Sequence, residues 1–537
     1  MRLDLGRPRA VVLGALLVCG GPCACQKATH AAGRLQARIV DDATGAPLSA
    51  RVAITDADGK PVEIDRAHEH VQQLGKRWYY VDGAFTASLP GPVTVEIRRG
   101  LETRPLAESV SGVGPEKPVT KMFRLRRWTD MRAKGYVSGD LHAHLPALDD
   151  AASEMRAEDL NALNLLIVGG MPEPNDKAFK GRLDERSTPG CEIYLNQEVI
   201  DWQLGHLTLA GLTRLVPGYP VPGGTLDYGL DNPHRDILRA ARATRAQNGF
   251  VSLAHFENLP GAESPVAVAL GLLDAVELPT WADPMQLPAH LDPWDNSGLP
   301  TAEFTPMRGV DLYYQFLNAG FRLPIAAGTD KVGDDIPLGS NRTYIATKGA
   351  GGYAAWLAGI KAGTGFVTNG PIIEFDVDGR APGNTIEFQG TKTITAHAVA
   401  RSILPFTTLE ILANGRPVAR KLILVQRNPP VDGVYTIEVS ATVSLSQSSW
   451  LAARAFANPD ITPRLLPRES SVFSHTDPVY FLREGRKVRE EASVVYLRKY
   501  VRGLLHWLST RPVFASEQDR AAVQHDAEEA LRIYEAL

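Results

Sequence analysis

Cysteine is nearly absent from the body of this sequence. Of the four cysteines in 537 residues, three lie within the first 25 and only Cys191 lies beyond them. A disulfide needs two cysteines, so no disulfide framework can hold the body of the chain together. Stability must therefore come from buried apolar surface, which a chain of this length is expected to divide among several domains.

An excess of charge of either sign is also absent. The formal net charge is -4, and the positive and negative residues are interspersed. Proteins that bind nucleic acid usually concentrate Lys and Arg on one face or in one segment. We therefore expect no nucleic-acid partner and favour a small-molecule substrate, while the sequence gives no indication of oligomeric state.

Long apolar runs are missing as well, since none after the N-terminus has the roughly 20 residues that a membrane span needs. At the N-terminus, basic residues precede an apolar run from Ala10 to Cys19, and small residues follow it. This order is typical of an export signal, so residues 1–25 are predicted to be a signal peptide. The protein is then expected to be periplasmic, at the cell surface or secreted.

Cys25 raises the question of a lipid anchor. It follows Ala24, as the acylated cysteine of a lipoprotein would, but Pro22 stands where a lipobox usually has Leu. Acylation of Cys25 and simple cleavage of the leader therefore remain two alternatives.

Alternation of apolar and polar residues predicts two β-sandwiches. Residues 35–126 contain segments such as Val93 to Ile97, and the stretch from Ile39 to Leu48 resembles the opening of carboxypeptidase-regulatory-like β-sandwiches. Residues 372–482 return to the same period of two. Such alternation between turn formers is typical of strands that are buried on one side.

Between these regions, residues 127–371 alternate short apolar strands with helix-like segments. The clearest strands are Leu165 to Val168, Phe250 to Ala254 and Pro324 to Ala327. This pattern predicts an α/β fold with a parallel sheet or barrel, in which active sites lie at the carboxyl ends of the strands. Residues 483–537 have helical spacing and are predicted to form a helical C-terminal segment.

Within the last segment, Ser516 and Asp519 have the spacing of a capping box. A helix is therefore predicted to follow, over Ala521 to Leu537.

Two histidines separated by one residue form the most informative motif. His142 and His144 follow the apolar residues Tyr136 and Val137, which predict a strand. Residues i and i+2 of a strand point to the same side, so both imidazoles can face one divalent cation such as zinc, manganese or iron. The motif is weak by itself, because two unrelated histidines often have this spacing.

Four further residues of ligand type adjoin apolar strands in the same region. They are Glu198, His206, His255 and Asp330. Any one of them can be an ordinary buried, hydrogen-bonded residue, but polar groups at several strand ends call for a common explanation. Together with the two histidines they predict a metal site.

These residues resemble the PHP (polymerase and histidinol phosphatase) superfamily, and within it the CehA/McbA group related to carbaryl hydrolase. The resemblance runs from about Gly139 to Gly379. It rests on Gly139-Asp140-Leu141-His142-Ala143-His144, on Glu198 with Gly205-His206, on Ala254-His255, on Ala327-Gly328-Thr329-Asp330, on Arg342-Thr343-Tyr344 and on Ala362-Gly363-Thr364-Gly365-Phe366-Val367-Thr368-Asn369-Gly370-Pro371.

The resemblance implies a distorted (β/α) PHP-type barrel with bound metals, flanked here by the two β-sandwiches. Carried over position by position, His142, His144 and Asp330 hold one cation, His206 and His255 hold another, and Glu198 bridges them. The sequence departs from the family where Asp-His is replaced by Val168-Gly169-Gly170 and where Asp-x-His reads Asp330-Lys331-Val332. Both missing histidines belong to a third metal position, so two divalent ions are expected.

The reaction implied is metal-dependent hydrolysis of an ester, carbamate or phosphoester bond. Two cations lower the pKa of a water molecule, so a metal-bound hydroxide is the expected nucleophile. Asp330 is expected to take the proton of that water. Lys331 and Arg342 are candidates for stabilising negative charge, although each is equally interpretable as a surface cation paired with Asp334 or Asp335.

A few other residues have two interpretations each. Glu277 can orient a ligand or be a loop carboxylate. Asp149 matches an acidic position of the family motif, but an exposed acid is favoured. Trp281 can line a pocket, whereas Tyr313 and Tyr314 are better explained by core packing.

A different class of function is a catalytically inactive PHP-like binding protein at the cell surface. The altered third-metal position favours it, and the six retained ligand candidates argue against it. Bound metal distinguishes the two, because an inert module should purify without metal and the hydrolase with close to two ions per chain.

Overall fold

The structure is a computed structural model, which describes residues 33–67, 72–73, 76–111, 118–168, 174–219, 233–257, 260–280, 282–287, 307–347, 351–458, 471–510 and 512–537. The predicted leader with Cys25, the Gly169-Gly170 segment and Trp281 lie outside the described residues. Over the described part the protein is a mixed α/β structure, rich in sheets, with seven α-helices. None of these helices combines the length and the apolar character that crossing a membrane requires.

The N-terminal region consists of two main sheets around one hydrophobic cluster. Its strands are β1 Gly33–Asp41, β2 Ser49–Asp56, β3 Gln72–Gln73, β4 Lys76–Arg77, β5 Tyr79–Asp82, β6 Ala84–Leu89, β7 Val93–Arg98, β8 Leu106–Val110 and β9 Val119–Leu125. One sheet has the order β6-β1-β9 and the other the order β5-β2-β7-β8. Alternate residues such as Ile39 and Val95 are buried between them, as the period of two predicts.

The central region supplies most of one large sheet. Its elements are β10 Tyr136–Ala143, α1 Leu148–Ala157, β11 Ala162–Ile167, a 3-10 helix Asp176–Ala178, β12 Glu192–Asp201, β13 Gly205–Ala210, α2 Leu238–Arg245, β14 Phe250–Leu253, α3 Ser264–Ala269, β15 Ala275–Glu277, α4 Gly309–Asn318, β16 Ile325–Ala326, β17 Arg342–Ala346, α5 Tyr353–Ala362 and β18 Gly365–Thr368. Strands are present at all three predicted places, since Leu165 to Val168, Phe250 to Ala254 and Pro324 to Ala327 overlap β11, β14 and β16.

This sheet is mixed, which corrects the expectation of a parallel sheet. The pairs β10-β11, β11-β12, β14-β15 and β15-β16 are parallel, whereas β13 is antiparallel to both of its neighbours and β17 is antiparallel to β10. The physical reason for the first reversal is a short connection. Only three residues separate β12 from β13, and such a link can join antiparallel strands but not parallel ones.

Backbone hydrogen bonds also join β10 to the segment that follows β16. Leu141 N donates to Ala327 O at 3.1 Å, and Asp330 N donates to His142 O at 2.7 Å. The close approach requires glycine at position 328, because a Cβ there would lie 2.3 Å from the Cβ of His142. The segment after β16 is thereby held against β10.

The C-terminal region continues the large sheet and adds two long helices. Its elements are β19 Ile372–Val377, β20 Thr385–Phe388, β21 Lys392–Ser402, β22 Thr408–Ala413, β23 Arg416–Leu422, β24 Tyr435–Leu445, β25 Ser449–Phe456, β26 Phe473–Thr476, β27 Val479–Arg483, α6 Glu491–Ser509 and α7 Glu517–Ala536. Strand β26 pairs with β18, so the sheet crosses the predicted boundary at residue 371. A separate sheet has the order β19-β21-β24.

The last two helices pack on the central region. Leu497 and Leu504 of α6 and Val523 of α7 share a hydrophobic cluster with Val266 of α3. The predicted cap is confirmed, since Ser516 Oγ accepts a hydrogen bond from Asp519 N at 3.1 Å, although the helix begins at Glu517 and not at Ala521.

Candidate metal centre

The six predicted ligand residues come together at one end of the central sheet. We call them the histidine cluster: His142, His144, Glu198, His206, His255 and Asp330. All are buried except Asp330, whose side chain is 15% exposed. The sequence prediction that these residues converge is therefore confirmed, although they come from strands up to 188 positions apart in the chain, from His142 to Asp330.

Local backbone irregularities direct several of these side chains. The pairing of β10 with β11 shifts register between Asp140 and Ala143, next to His142. His255 and Asp330, which follow β14 and β16, have positive φ angles of 30° and 43°. Such angles are costly for residues other than glycine, and functional sites are one of the places where that cost is retained. The cluster thus contains backbone strain at two of its members.

His142, His144 and Asp330 form the first group of converging atoms. The Nε2 atoms of the two histidines are 3.1 Å apart. Oδ1 of Asp330 lies 3.5 Å from Nε2 of His142 and 3.4 Å from Nε2 of His144. The three ligand-type atoms therefore form a nearly equilateral triangle.

His206 and His255 form the second group, with one oxygen of Glu198. Nδ1 of His206 is 3.1 Å from Nε2 of His255. Oε1 of Glu198 lies 3.3 Å from the first of these nitrogens and 3.6 Å from the second. The other oxygen, Oε2, lies 3.2 Å from Nε2 of His144, so the carboxylate extends between the two groups.

These distances fit a divalent cation in each group. Bonds of about 2.0–2.1 Å in tetrahedral geometry place neighbouring ligand atoms roughly 3.3–3.4 Å apart. The separations of 3.1–3.6 Å in the cluster surround that value. The imidazole nitrogens face each other and also face a carboxylate. All of these atoms offer lone pairs, so a cation satisfies them better than hydrogen bonds among themselves can.

Glu277 is a buried strand residue that contacts two members of the cluster, and it is not a loop carboxylate. Its Oε2 lies 2.9 Å from Nδ1 of His142, and it also accepts a hydrogen bond from His255 N at 3.3 Å. A proton on Nδ1 leaves Nε2 of His142 as the lone pair that faces the cluster. For the other three histidines, the nitrogen that faces away from the cluster has no hydrogen-bond partner among the described residues.

The electrostatics of the cluster favour positive charge on two of its histidines. Burial by itself lowers the pKa of His142, but the negative charges of Glu277, Glu198 and Asp330 hold it well above its usual range. Burial also opposes protonation of His144, but its contacts with Asp330 and Glu198 outweigh burial and raise its pKa to about 9. His206 differs, because burial outweighs its contacts with Glu198 and lowers its pKa.

Asp140 is a positioning residue that the sequence motif contained but did not identify. It is buried and accepts hydrogen bonds from Thr329 N, Thr329 Oγ1, Gly339 N and His142 N. Burial raises the pKa of Asp140 to about 6, and these hydrogen bonds partly offset the effect. Its carboxylate ties β10 to the segment that carries Asp330. An acidic residue two positions before the first histidine was the available signal.

Lys331 does not have either of its expected roles. It is only 1% exposed, and its Nζ donates to the carbonyls of Gly333 at 3.3 Å and Ile336 at 2.8 Å. Its nearest carboxylate is that of Glu154, at 3.8 Å. The side chain is thus committed to holding a loop. It is neither a surface cation nor one of the converging groups.

Arg342 likewise has neither of the roles that the sequence suggested for it. It is 1% exposed, and its guanidinium donates to the carbonyls of Gly339, Asp159 and Glu158. A cation that is satisfied by three backbone carbonyls is a structural element. The sequence could not show this, because two of its partners lie more than 180 residues away in the chain.

The remaining alternatives are resolved by exposure and packing. The side chain of Asp149 is 82% exposed and pairs with Arg186, so it lies on the surface as favoured. Tyr313 and Tyr314 are buried in the main hydrophobic cluster, which confirms their core role.

Comparison with known proteins adds no family assignment. No protein-family model matches the chain, and no curated protein matches its sequence.

Proposed function

We propose that the chain is a metal-dependent hydrolase that acts on a small molecule and holds two divalent cations, zinc, manganese or iron, in the histidine cluster. One observation carries the proposal. Glu198 contacts histidines of both groups, with Oε1 near His206, His255 and His142 and Oε2 near His144, as a carboxylate between two cations would. The scissile bond is an ester, carbamate or phosphoester.

Each group in the cluster would have a defined task. Bound divalent cations supply Lewis acidity and activate water near neutral pH. His142, with Nδ1 held by Glu277, keeps its Nε2 directed at the first group. Asp330, the most exposed carboxylate of the cluster, is placed to accept a proton from water on the solvent side.

We further propose the finer architecture that accompanies this function. Strands β10 to β16, with the hydrogen bonds between β10 and the segment after β16, support a distorted PHP-type barrel. The two-sheet arrangements before and after it support β-sandwich modules at 35–126 and 372–482, and α6 and α7 support a helical segment at 483–537. Export through residues 1–25, with or without acylation of Cys25, completes the proposal.

Metal analysis combined with a substrate panel tests the proposal. Protein purified without chelators should contain close to two transition-metal ions per chain. After reconstitution with manganese or zinc, it should hydrolyse at least one of an aryl ester, a carbamate and a phosphodiester. Failure to bind metal would contradict the proposal and favour the inactive binding protein. Three fully bound ions would contradict the two-metal assignment.

A further inference from the structure

A cavity outside the histidine cluster lies where the three regions of the chain meet. Its volume is about 250 Å³, and none of the six cluster residues lines it. Arg98 and Thr103 approach it from the N-terminal region, Ser340 and Arg342 from the central region, and Leu404 from the segment after β21. It is slightly smaller than the roughly 300–1,000 Å³ of sites for drug-sized ligands, so only a small molecule fits.

The lining combines apolar surface with an unequal set of charges. Leu101, Pro105, Pro337, Ile403, Leu404 and Pro405 contribute apolar walls. Four arginines line the cavity, whereas Glu158 is the one carboxylate among the lining residues. Such a surface favours a ligand with an apolar body and a negative group.

Three of the four arginines already have partners. Arg51 pairs with Glu158, Arg99 pairs with Asp159 at 2.6 Å, and Arg342 donates to backbone carbonyls. Arg98 differs, since it has no ion pair with a carboxylate among the described residues. One guanidinium therefore remains for a single negative charge.

Arg98 lies beside a second guanidinium, that of Arg51, with the carboxylates of Glu96 and Glu158 acting on it in the opposite sense. The guanidinium groups of Arg51 and Arg98 both lie 5.4 Å from the ring centroid of Trp78. Burial, and then repulsion by Arg51, lowers the pKa of Arg98. An anion between the two would relieve this repulsion, and a carboxylate accepts the paired donors of a guanidinium.

Thr103 provides a second, independent observation. It is 2% exposed, it lines the cavity, and its Oγ1 has no hydrogen-bond partner among the described residues. A buried hydroxyl without a partner is unfavourable, so natural proteins usually satisfy it. A ligand oxygen in the cavity would do so.

We propose that this cavity binds a small organic monocarboxylate, with its apolar body against Leu404 and Pro405 and its carboxylate on Arg98 and Thr103. The site is separate from the proposed hydrolytic centre and does not depend on metal. Its ligand is recognised by one negative charge and a compact apolar body.

Calorimetric titration of the full chain with benzoate tests the proposal, and benzyl alcohol serves as the neutral control. The measurement uses protein treated with a chelator and repeats it with the Glu198→Gln variant, so that metal-dependent binding at the histidine cluster is excluded. We expect saturable binding of benzoate in both samples and none of benzyl alcohol. Absence of saturable binding up to about 10 mM, equivalent to less than roughly 3 kcal/mol of binding energy, would overturn the proposal.

Two variants locate the bound carboxylate. Arg98→Gln should weaken benzoate binding at least about tenfold, whereas the matched variant Arg38→Gln, at an exposed position of β1, should change it less than about twofold. Thr103→Val should weaken binding about three- to tenfold and raise the melting temperature of the ligand-free protein, because it removes an unpartnered hydroxyl. Equal affinities in all variants would place benzoate elsewhere and refute the assignment. Phenyl phosphate binding tighter than benzoate would overturn the choice of a monocarboxylate.

Discussion

The histidine cluster and a second buried group, which we call the tyrosine–histidine chain, differ in how their polar atoms are satisfied. In the second group, Arg454 donates to Glu410 at 2.6 Å and to Tyr314 Oη at 3.2 Å. Tyr314 donates to His475 Nε2 at 2.8 Å, and His475 Nδ1 donates to the carbonyl of Thr476 at 2.7 Å. Each donor has an acceptor, so this chain is complete without a ligand.

The histidine cluster lacks this alternation of donors and acceptors. Imidazole nitrogens face each other at 3.1 Å in both groups, and a carboxylate faces both. One buried histidine from each group also shows how surroundings set the direction of a pKa shift. Burial and the charge of Arg454 lower the pKa of His475 to about 3, whereas carboxylate contacts outweigh burial and raise the pKa of His144 to about 9. Burial alone therefore does not identify a functional site; the convergence of lone pairs does.

The largest expected effect is a loss of hydrolytic activity when Glu198 of the histidine cluster is changed, compared with Glu410 of the tyrosine–histidine chain. Glu198→Gln should lower hydrolytic activity by at least about a thousandfold, because it weakens both cation positions, while loss of one stabilising donor costs roughly 10²–10³. Metal content should fall to one ion or fewer. The matched variant Glu410→Gln should retain metal and activity per folded molecule. Equal losses in both variants would remove the distinction between the two groups.

Breaking the tyrosine–histidine chain should instead cost stability. Arg454→Met leaves Glu410, which is 0% exposed, with the half-exposed Arg420 as its remaining partner, so the loss should be at most the roughly 3–5 kcal/mol of a fully broken buried pair. Urea denaturation should show this loss, and elemental analysis should show unchanged metal. The exposed control Arg38→Met should change stability by less than about 0.5 kcal/mol. A loss of metal in Arg454→Met would contradict the separation.

Chelation should affect the histidine cluster alone. Removing a cation that is present at about one hundred times its dissociation constant lowers the free energy of unfolding by roughly 2.7 kcal/mol. Calorimetry should show a lower melting temperature with chelator and recovery with zinc or manganese. Glu410→Gln should respond as the parent does, and Glu198→Gln should respond less. A parent protein insensitive to chelator would contradict a metal centre.

The smallest expected effect tests one hydroxyl of the tyrosine–histidine chain. Tyr314→Phe leaves Nε2 of His475 without its donor and removes one acceptor of Arg454, and an unsatisfied buried group costs about 1–3 kcal/mol. Urea denaturation measures the change, and metal content should stay the same. An unchanged free energy of unfolding would show that the chain is not a tightly satisfied network.

Much of the secondary structure was accessible from apolar spacing. The alternation at Ile373 to Val377 corresponds to β19, and the apolar run at Phe250 corresponds to β14. The spacing of apolar residues could not predict which strands pair with each other, or in which direction. The reversal of β13 depends on the short turn before it, and β26 joins β18 across more than 100 residues of sequence.

The candidate site was likewise accessible as a set of residues, but not as an arrangement. His142 and His144 follow from the period of two in a strand, and His255 and Asp330 follow from their positions after apolar strands. The alignment of these strand ends brings them together. The positive φ angles of His255 and Asp330 had no signal in residue type, and the hydrogen bond from Thr329 to Asp140 joins residues 189 positions apart.

The sequence by itself determined which strands form, which residue types stand at their ends, and that no disulfide supports the body, because these depend on local spacing and composition. The tertiary structure alone decided the roles of the charged residues. Lys331 and Arg342 both follow the site in sequence, yet each is buried and donates to backbone carbonyls. Lys331 donates to the loop two and five residues further on, whereas Arg342 donates to carbonyls more than 180 residues away. Residue type could not show either role, because a buried cation must be satisfied by whatever acceptors the fold places beside it.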